Sequence, residues 1–270
     1  EYKLEMQTVL GTIRPTKEIW KALIPVMSVM QLIKNLAALE HNKVLEDRDS
    51  LETVISRITI GNLKKGMVIP FRIVQAAMML QNKPLKEHLF RVLEQYSKEY
   101  DFSVLGRVCI APDVSGSMIC RIGRVTPAEI SAWFTAVLGT GIKDAVIYPW
   151  DTEVYQLEAG MQPEYYINQM LNGFGGGTNM DLPVKKLIRD KTEIDSLIMI
   201  TDTEEWAGYG WLDSWIKYKK TVNPHAIAYL IRIDPYPTQP FPPDKAEKLG
   251  IIQIYGWNDI VFKILTWNHK

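Results

Sequence analysis

Apolar positions in the first hundred residues recur at helical spacing. The stretch 16–24 follows Pro15, a residue suited to the first turn of a helix. Pro25 interrupts the pattern, and 27–39 resumes it with Met27, Met30, Leu32, Ile33, Leu36 and Leu39 on one repeating face. Asp49 or Ser50 is placed to cap a helix over 51–58. Two further amphipathic stretches, 70–80 and 85–100, flank Asn82-Lys83-Pro84. Short helices in antiparallel pairs predict an α-solenoid or an irregular bundle. Methionines 27, 30, 67, 78 and 79 read as core packing.

From residue 104 the rhythm changes to strand, helix, strand. Apolar runs at 104–110, 145–150, 153–157, 196–201, 226–233 and 251–255 predict strands. Between and after them, 127–138, 163–171, 180–188, 212–219 and 260–266 predict helices. That alternation predicts an α/β fold, a mostly parallel sheet covered by helices, behind a smaller helical segment. The domain boundary falls near residue 100, giving 1–100 and 101–270. The proline-rich run 234–243 reads as an ordered loop near the ligand face.

The run Val108-Cys109-Ile110 delivers Ala111-Pro112-Asp113-Val114-Ser115-Gly116-Ser117-Met118 onto a loop at the carboxyl end of a strand. A carboxylate and two hydroxyls at alternating positions can converge on a hard cation such as magnesium, which takes oxygen ligands and keeps some water. Alone, this loop would read as an ordinary Ser/Gly turn after a strand. Two later segments complete it. Phe174-Gly175-Gly176-Gly177-Thr178-Asn179-Met180 places a threonine after three glycines, and Ile194 to Asp202 is a second buried strand ending in a carboxylate. In an open α/β sheet, ligands gather outside the carboxyl ends of the strands. Asp113, Ser115, Ser117, Thr178 and Asp202 are therefore the candidate metal ligands. Magnesium is the expected ion, with manganese or calcium as substitutes.

Charge and composition trim the alternatives. The 270 residues carry no formal net charge, but residues 1–100 hold 15 Lys and Arg against 11 Asp and Glu. That mild excess permits a polyanion on the helical part without demanding one. Lys64, Lys65, Arg72, Lys83 and Lys86 are the candidate phosphate contacts there; a solvated helical face is the competing reading. Only Cys109 and Cys120 are present, which argues against a disulfide scaffold or a structural zinc site. The four histidines are scattered and suggest no catalysis. The longest uncharged runs are too short to span a bilayer and no signal peptide opens the chain, so a cytoplasmic protein without a membrane partner is expected. Its start at Glu1 rather than Met reads as a fragment, a processed product or the ordered part of something longer.

The five positions resemble the metal-ion-dependent adhesion site of von Willebrand factor A domains, in which Asp-x-Ser-x-Ser, a distant Thr and a later Asp surround one divalent ion. The helical part is similar to the C-terminal portion of the TROVE module of the Ro autoantigen family. Glu18 to Met27, Leu32 to Leu36 and Lys64 to Ile73 carry that likeness, and Phe174–Leu182 and Ile200–Trp206 resemble the family's Gly-Gly-Thr and Thr-Asp-x-Glu segments. The resemblance implies a von Willebrand A-like domain and a ribonucleoprotein component. Non-coding RNA, Y-like or misfolded, would bind through a complete helical ring, and the metal would capture an acidic residue of a protein partner. Two departures stand out. About 100 residues precede the sheet domain where the family's ring takes several hundred, and Asn179 stands where its pattern has an acidic residue. The alternative is a metal-dependent assembly module with no RNA binding of its own. A magnesium-dependent phosphatase is the weaker enzyme reading, because Ser115 occupies the position where that chemistry wants a second carboxylate.

Overall fold

The computed structural model describes residues 11–12, 14–123, 125–172, 175–202, 210–233, 243–258 and 260–267. The chain divides into two compact units, Glu1–Tyr96 and Ser97–Lys270.

The first unit is helical. Helix α1 (Lys17–Leu23) starts where the Thr16 side chain accepts the Ile19 amide, and α2 (Val29–His41) opens with a reciprocal box between Ser28 and Gln31. Helix α3 (Arg48–Arg57) begins earlier than its sequence suggests. Asp47, not Asp49 or Ser50, is the cap, its Oδ2 accepting the Ser50 amide at 3.0 Å. A short helix not foreseen, α4 (Ile60–Lys65), follows Thr59, whose side chain accepts the Asn62 amide. Then come α5 (Pro70–Met79) and α6 (Lys83–Ser97). Asn82 Oδ1 accepts the Leu85 amide, so α6 starts with Pro84 in its first turn, where a missing N–H costs nothing. The methionines divide. Met27 is buried, but Met67, Met78 and Met79 are exposed, Met67 in a left-handed turn and the other two at the end of α5.

The second unit is built on five parallel strands in the order β2-β1-β3-β4-β5. They are β1 (Val108–Pro112), β2 (Val146–Ile147), β3 (Ser196–Thr201), β4 (Ile227–Arg232) and β5 (Ile251–Tyr255). Residues 104–105, expected to open the first strand, instead end a 3-10 turn over Phe102–Leu105, which Asp101 begins by accepting the Ser103 amide. The expected strand at 153–157 is reduced to isolated antiparallel bridges, Ile147 to Leu157 and Trp150 to Val154. The central pair runs in register from Val108 opposite Ser196 to Pro112 opposite Ile200. Both strands are buried along their whole length, which is why they read as unbroken apolar runs rather than alternating ones.

Helices α7 (Pro127–Gly141), α8 (Pro163–Leu171), α9 (Leu182–Arg189), α10 (Gly210–Thr221), α11 (Pro243–Lys248) and α12 (Ile260–Leu265) complete the unit. Thr126 and Glu129 cap α7 reciprocally and Pro127 opens it. Val184, Leu187, Trp211 and Trp215 from α9 and α10 share one core with Cys109, Leu197, Met199 and Leu230 of the sheet. Each fully buried side chain of this size contributes about 1.5–3 kcal/mol. The run 234–242 lies outside the described residues. Among those described, no helix is long and apolar enough to cross a membrane.

Helices α7 and α8 meet at Gly139. The Tyr166 hydroxyl donates to the Gly139 and Glu158 carbonyls at 2.9 and 2.8 Å, and a Cβ on Gly139 would stand 2.6 Å from the tyrosine ring. Gly139→Ala is therefore expected to destabilise the second unit by about 1–3 kcal/mol, the usual range for overpacking a core. Urea unfolding of the two proteins checks this; a difference below about 0.5 kcal/mol, the scale of neutral surface changes, would contradict it.

Candidate metal centre

Strand β1 ends by handing its ladder on to Asp113, whose amide donates to the Ile200 carbonyl at 2.8 Å. On the other side, the Val114 amide donates to the Trp150 carbonyl at 3.0 Å. Asp113 is thus fixed at the carboxyl edge between the ends of β2 and β3, and its side chain has no solvent exposure. In the order 2-1-3-4-5, the gap between β1 and β3 is where successive connections leave to opposite sides, the usual ligand crevice of such sheets.

Both oxygens of Asp113 are engaged. Oδ1 accepts the Ser115 amide at 2.9 Å, which turns the loop sharply, and Oδ2 accepts the Thr201 hydroxyl at 2.6 Å. Burial pushes this carboxyl up to about 7, against the pull of the Ser115 and Thr201 hydrogen bonds, and the charge of Asp202 adds to the rise. The turn aims two hydroxyls at one point, with Ser115 Oγ and Ser117 Oγ 3.2 Å apart. Neighbouring ligands of an octahedral magnesium, each about 2.0–2.1 Å from the ion, stand about 3 Å from one another. The spacing of the pair suits that geometry, and the donors are all oxygen. Among the described residues, no three His, Cys, Asp or Glu side chains gather as a metal cluster, here or elsewhere.

Thr178 lies on the glycine loop that meets this edge. The Gly116 amide donates to the Gly176 carbonyl at 2.8 Å, joining that loop directly to the Asp113 turn. Asp202 follows β3 immediately and is buried. The fold therefore brings the Asp113, Ser115 and Ser117 turn, the Thr178 loop and Asp202 to one edge. Trp211 and Trp215 are core residues, stacked 5.9 Å apart on α10. Trp206 and the acidic residues beside it lie outside the described residues, as do Phe174 and His269. Cys109 is buried and inert in β1, whereas Cys120 is exposed.

Two residues at this edge carry more than their sequence context suggested. Thr201 orients Asp113, and Asp151 binds the glycine loop through a 3.0 Å bond from the Gly176 amide to its Oδ2. The available signal for Asp151 was its place just after a predicted strand, the same position that singled out Asp113 and Asp202.

The five basic candidates lie on three helices of the first unit. Lys64 and Lys65 stand in the last turn of α4, Arg72 in the first turn of α5, and Lys83 and Lys86 in the first turn of α6. Arg72 donates to Gln75 and Lys83 pairs with Glu87 across one turn of helix, so each of these two also has a local role.

The family described as the Ro60 vWA domain matches residues 107–265. The RNA-binding protein RO60 of Deinococcus radiodurans is 25% identical over 240 residues, covering 77% of this chain and 43% of that protein. The crystal structure of the Ro (RSR) protein of Deinococcus radiodurans superimposes with a TM-score of 0.74 at 19% identity, over 98% of this chain and 57% of that one. The chain thus spans about half the length of the relatives it matches.

The Asp113 carboxyl sets a pH dependence whose sign is fixed. Its folded value of about 7 lies above the ordinary 3.8, so the folded protein keeps a proton that the unfolded chain releases between them. This group favours folding most below about pH 4, and its contribution is lost as pH rises to about 7. Asp113→Asn keeps the size of the side chain without the charge. In chelator, the variant should gain stability relative to wild type at about pH 8 and show no such gain at about pH 4. Urea titrations at the two pH values check this, and the same difference at both would contradict it.

Proposed function

The chain belongs to the Ro60 vWA domain family, and on that premise we propose that its sheet domain captures an acidic residue of a protein partner through a bound divalent cation. The observation that carries the proposal is the pair of serine hydroxyls held 3.2 Å apart by a buried aspartate at the β1–β3 crevice. When bound, magnesium supplies an electropositive position that neutral hydroxyl ligands leave unsatisfied. Ser115, Ser117 and Thr178 are its proposed direct ligands. Asp113 and Asp202 orient those hydroxyls and the ion's waters, the role of groups just outside a coordination sphere. The turned-in carboxylate of Asp113, already accepting from Ser115 and Thr201, favours holding over nucleophilic attack, so the proposed role is binding and not phosphoryl transfer.

RNA is the second proposed ligand, taken by the helical unit. Its support is the name of the Deinococcus radiodurans relative and the exposed cations Lys64, Lys65, Arg72 and Lys83, with Lys86 half-buried beside them. In this reading the chain is a ribonucleoprotein component of the cytoplasm.

Titration calorimetry tests the metal. Wild type should take up one magnesium ion per chain, and Ser115→Ala should weaken it by at least about tenfold without unfolding the domain. No saturable heat from wild type would contradict the proposal. Gel-shift titrations with single-stranded RNA test the second ligand. Binding should weaken as salt rises, and Lys64→Glu with Lys65→Glu should lower the logarithmic salt slope by about 0.7 for each phosphate no longer neutralised. Absence of a shift at low salt would leave only the metal-dependent interaction module.

A further inference from the structure

Asp151 has no part in the metal-ligand set, yet it is buried and unusually well connected. It follows Trp150, which is tied twice to β1, its amide donating to the Pro112 carbonyl at 3.1 Å and its indole N–H to the Ala111 carbonyl at 3.0 Å. The Asp151 carboxylate is therefore mounted on the same β1 end that carries Asp113. Its Oδ1 accepts the Glu153 amide at 2.9 Å, and the Tyr155 hydroxyl reaches Oδ1 and Oδ2 at 3.2 and 3.3 Å. Those contacts fix the carboxylate from behind. Its Oδ2 then faces the glycine loop and accepts the Gly176 amide at 3.0 Å. Three residues on, the Asn179 amide donates to the Asp151 main-chain carbonyl at 3.1 Å.

One residue thus grips the loop on either side of Thr178. Burial pushes the Asp151 carboxyl up, but the amides of Glu153, Gly176 and Gly175 and the Tyr155 hydroxyl together outweigh it and keep it below the ordinary value. The grip is close. A Cβ on Gly176 would stand 2.7 Å from Thr152 Oγ1 and 2.9 Å from Asp151 Oδ2, so only glycine admits the approach. The Gly176 carbonyl is at the same time the acceptor for Gly116, inside the Asp-x-Ser-x-Ser turn.

We infer that Asp151 is the positioning residue of the centre: its carboxylate and main-chain carbonyl hold the glycine loop so that Thr178 stands where it can complete the ligand set of Ser115 and Ser117. This rests on the metal reading above, and it assigns control of Thr178 to the segment that follows strand β2. The acid acts through the loop and does not touch the ion. Its loss frees Thr178 while leaving the two serines in place.

The test pairs calorimetry with amide exchange on wild type, Asp151→Asn and Tyr155→Phe. Asp151→Asn keeps the size of the side chain and removes its charge. It should lower magnesium affinity by at least about tenfold, the range seen when a ligand's outer partner is lost, with Tyr155→Phe intermediate. In a Thr178→Ala background the same change should cost less than about twofold, because the residue it positions is gone. A tenfold loss that persists in that background, or no loss in wild type, would overturn the inference. Gly176 amide exchange reads the grip without metal. At least about tenfold faster exchange in Asp151→Asn, with β1 amides unchanged, is the expected result. Unchanged Gly176 protection overturns the inference even if magnesium binds, whereas fast exchange in a protein that binds no magnesium keeps the grip and overturns the metal reading alone.

Discussion

The pairing of β1 with β3 governs this molecule's chemistry. It continues one residue past the end of β1, through the Asp113 amide and the Ile200 carbonyl, and so fixes a carboxylate in a buried position beside a second one, Asp202. A one-residue slip of either strand would send every side chain to the opposite face of the sheet and mismatch the packing on both buried faces. Register therefore sets the position of Asp113 as firmly as any contact the side chain makes itself.

A carboxylate placed there faces a physical conflict. Desolvation disfavours its charge, and the neighbouring Asp202 adds repulsion. The Ser115 amide and Thr201 hydroxyl relieve part of that conflict by donating to it. A proton or a nearby cation would relieve the rest. The same hydrogen bonds that tame the charge also build the turn that aims Ser115 and Ser117 at a common point. Stabilising the acid and shaping the candidate site are one arrangement, not two.

Short-range patterning made the sheet and much of the candidate site legible in the sequence. Unbroken apolar runs marked β1, β3 and β4, and the residues just beyond the first two named Asp113 and Asp202. Spacing alone put Ser115 and Ser117 on one turn. What escaped were features decided by contact between distant segments, or by caps and turns that no hydrophobic window registers. The start of α3 moved to Asp47 because its side chain could reach the Ser50 amide. The apolar stretch 153–157 folded back as isolated bridges at the sheet edge and gained no continuous partner. Met67 and Met79 look like core residues in any window, yet a left-handed turn and a helix end leave them in solvent. The place of Asp151 just after a predicted strand is only a weak sign of its role, because its partner lies in a loop 25 residues later that only the fold brings to it.

Anomalous diffraction from a manganese-soaked crystal would locate the ion itself. One peak is expected within coordination distance, about 2.2 Å, of both Ser115 Oγ and Ser117 Oγ, with Asp113 still turned toward Thr201. A saturated crystal with no peak at that edge, or with the ion held elsewhere in the chain, would refute the proposed centre.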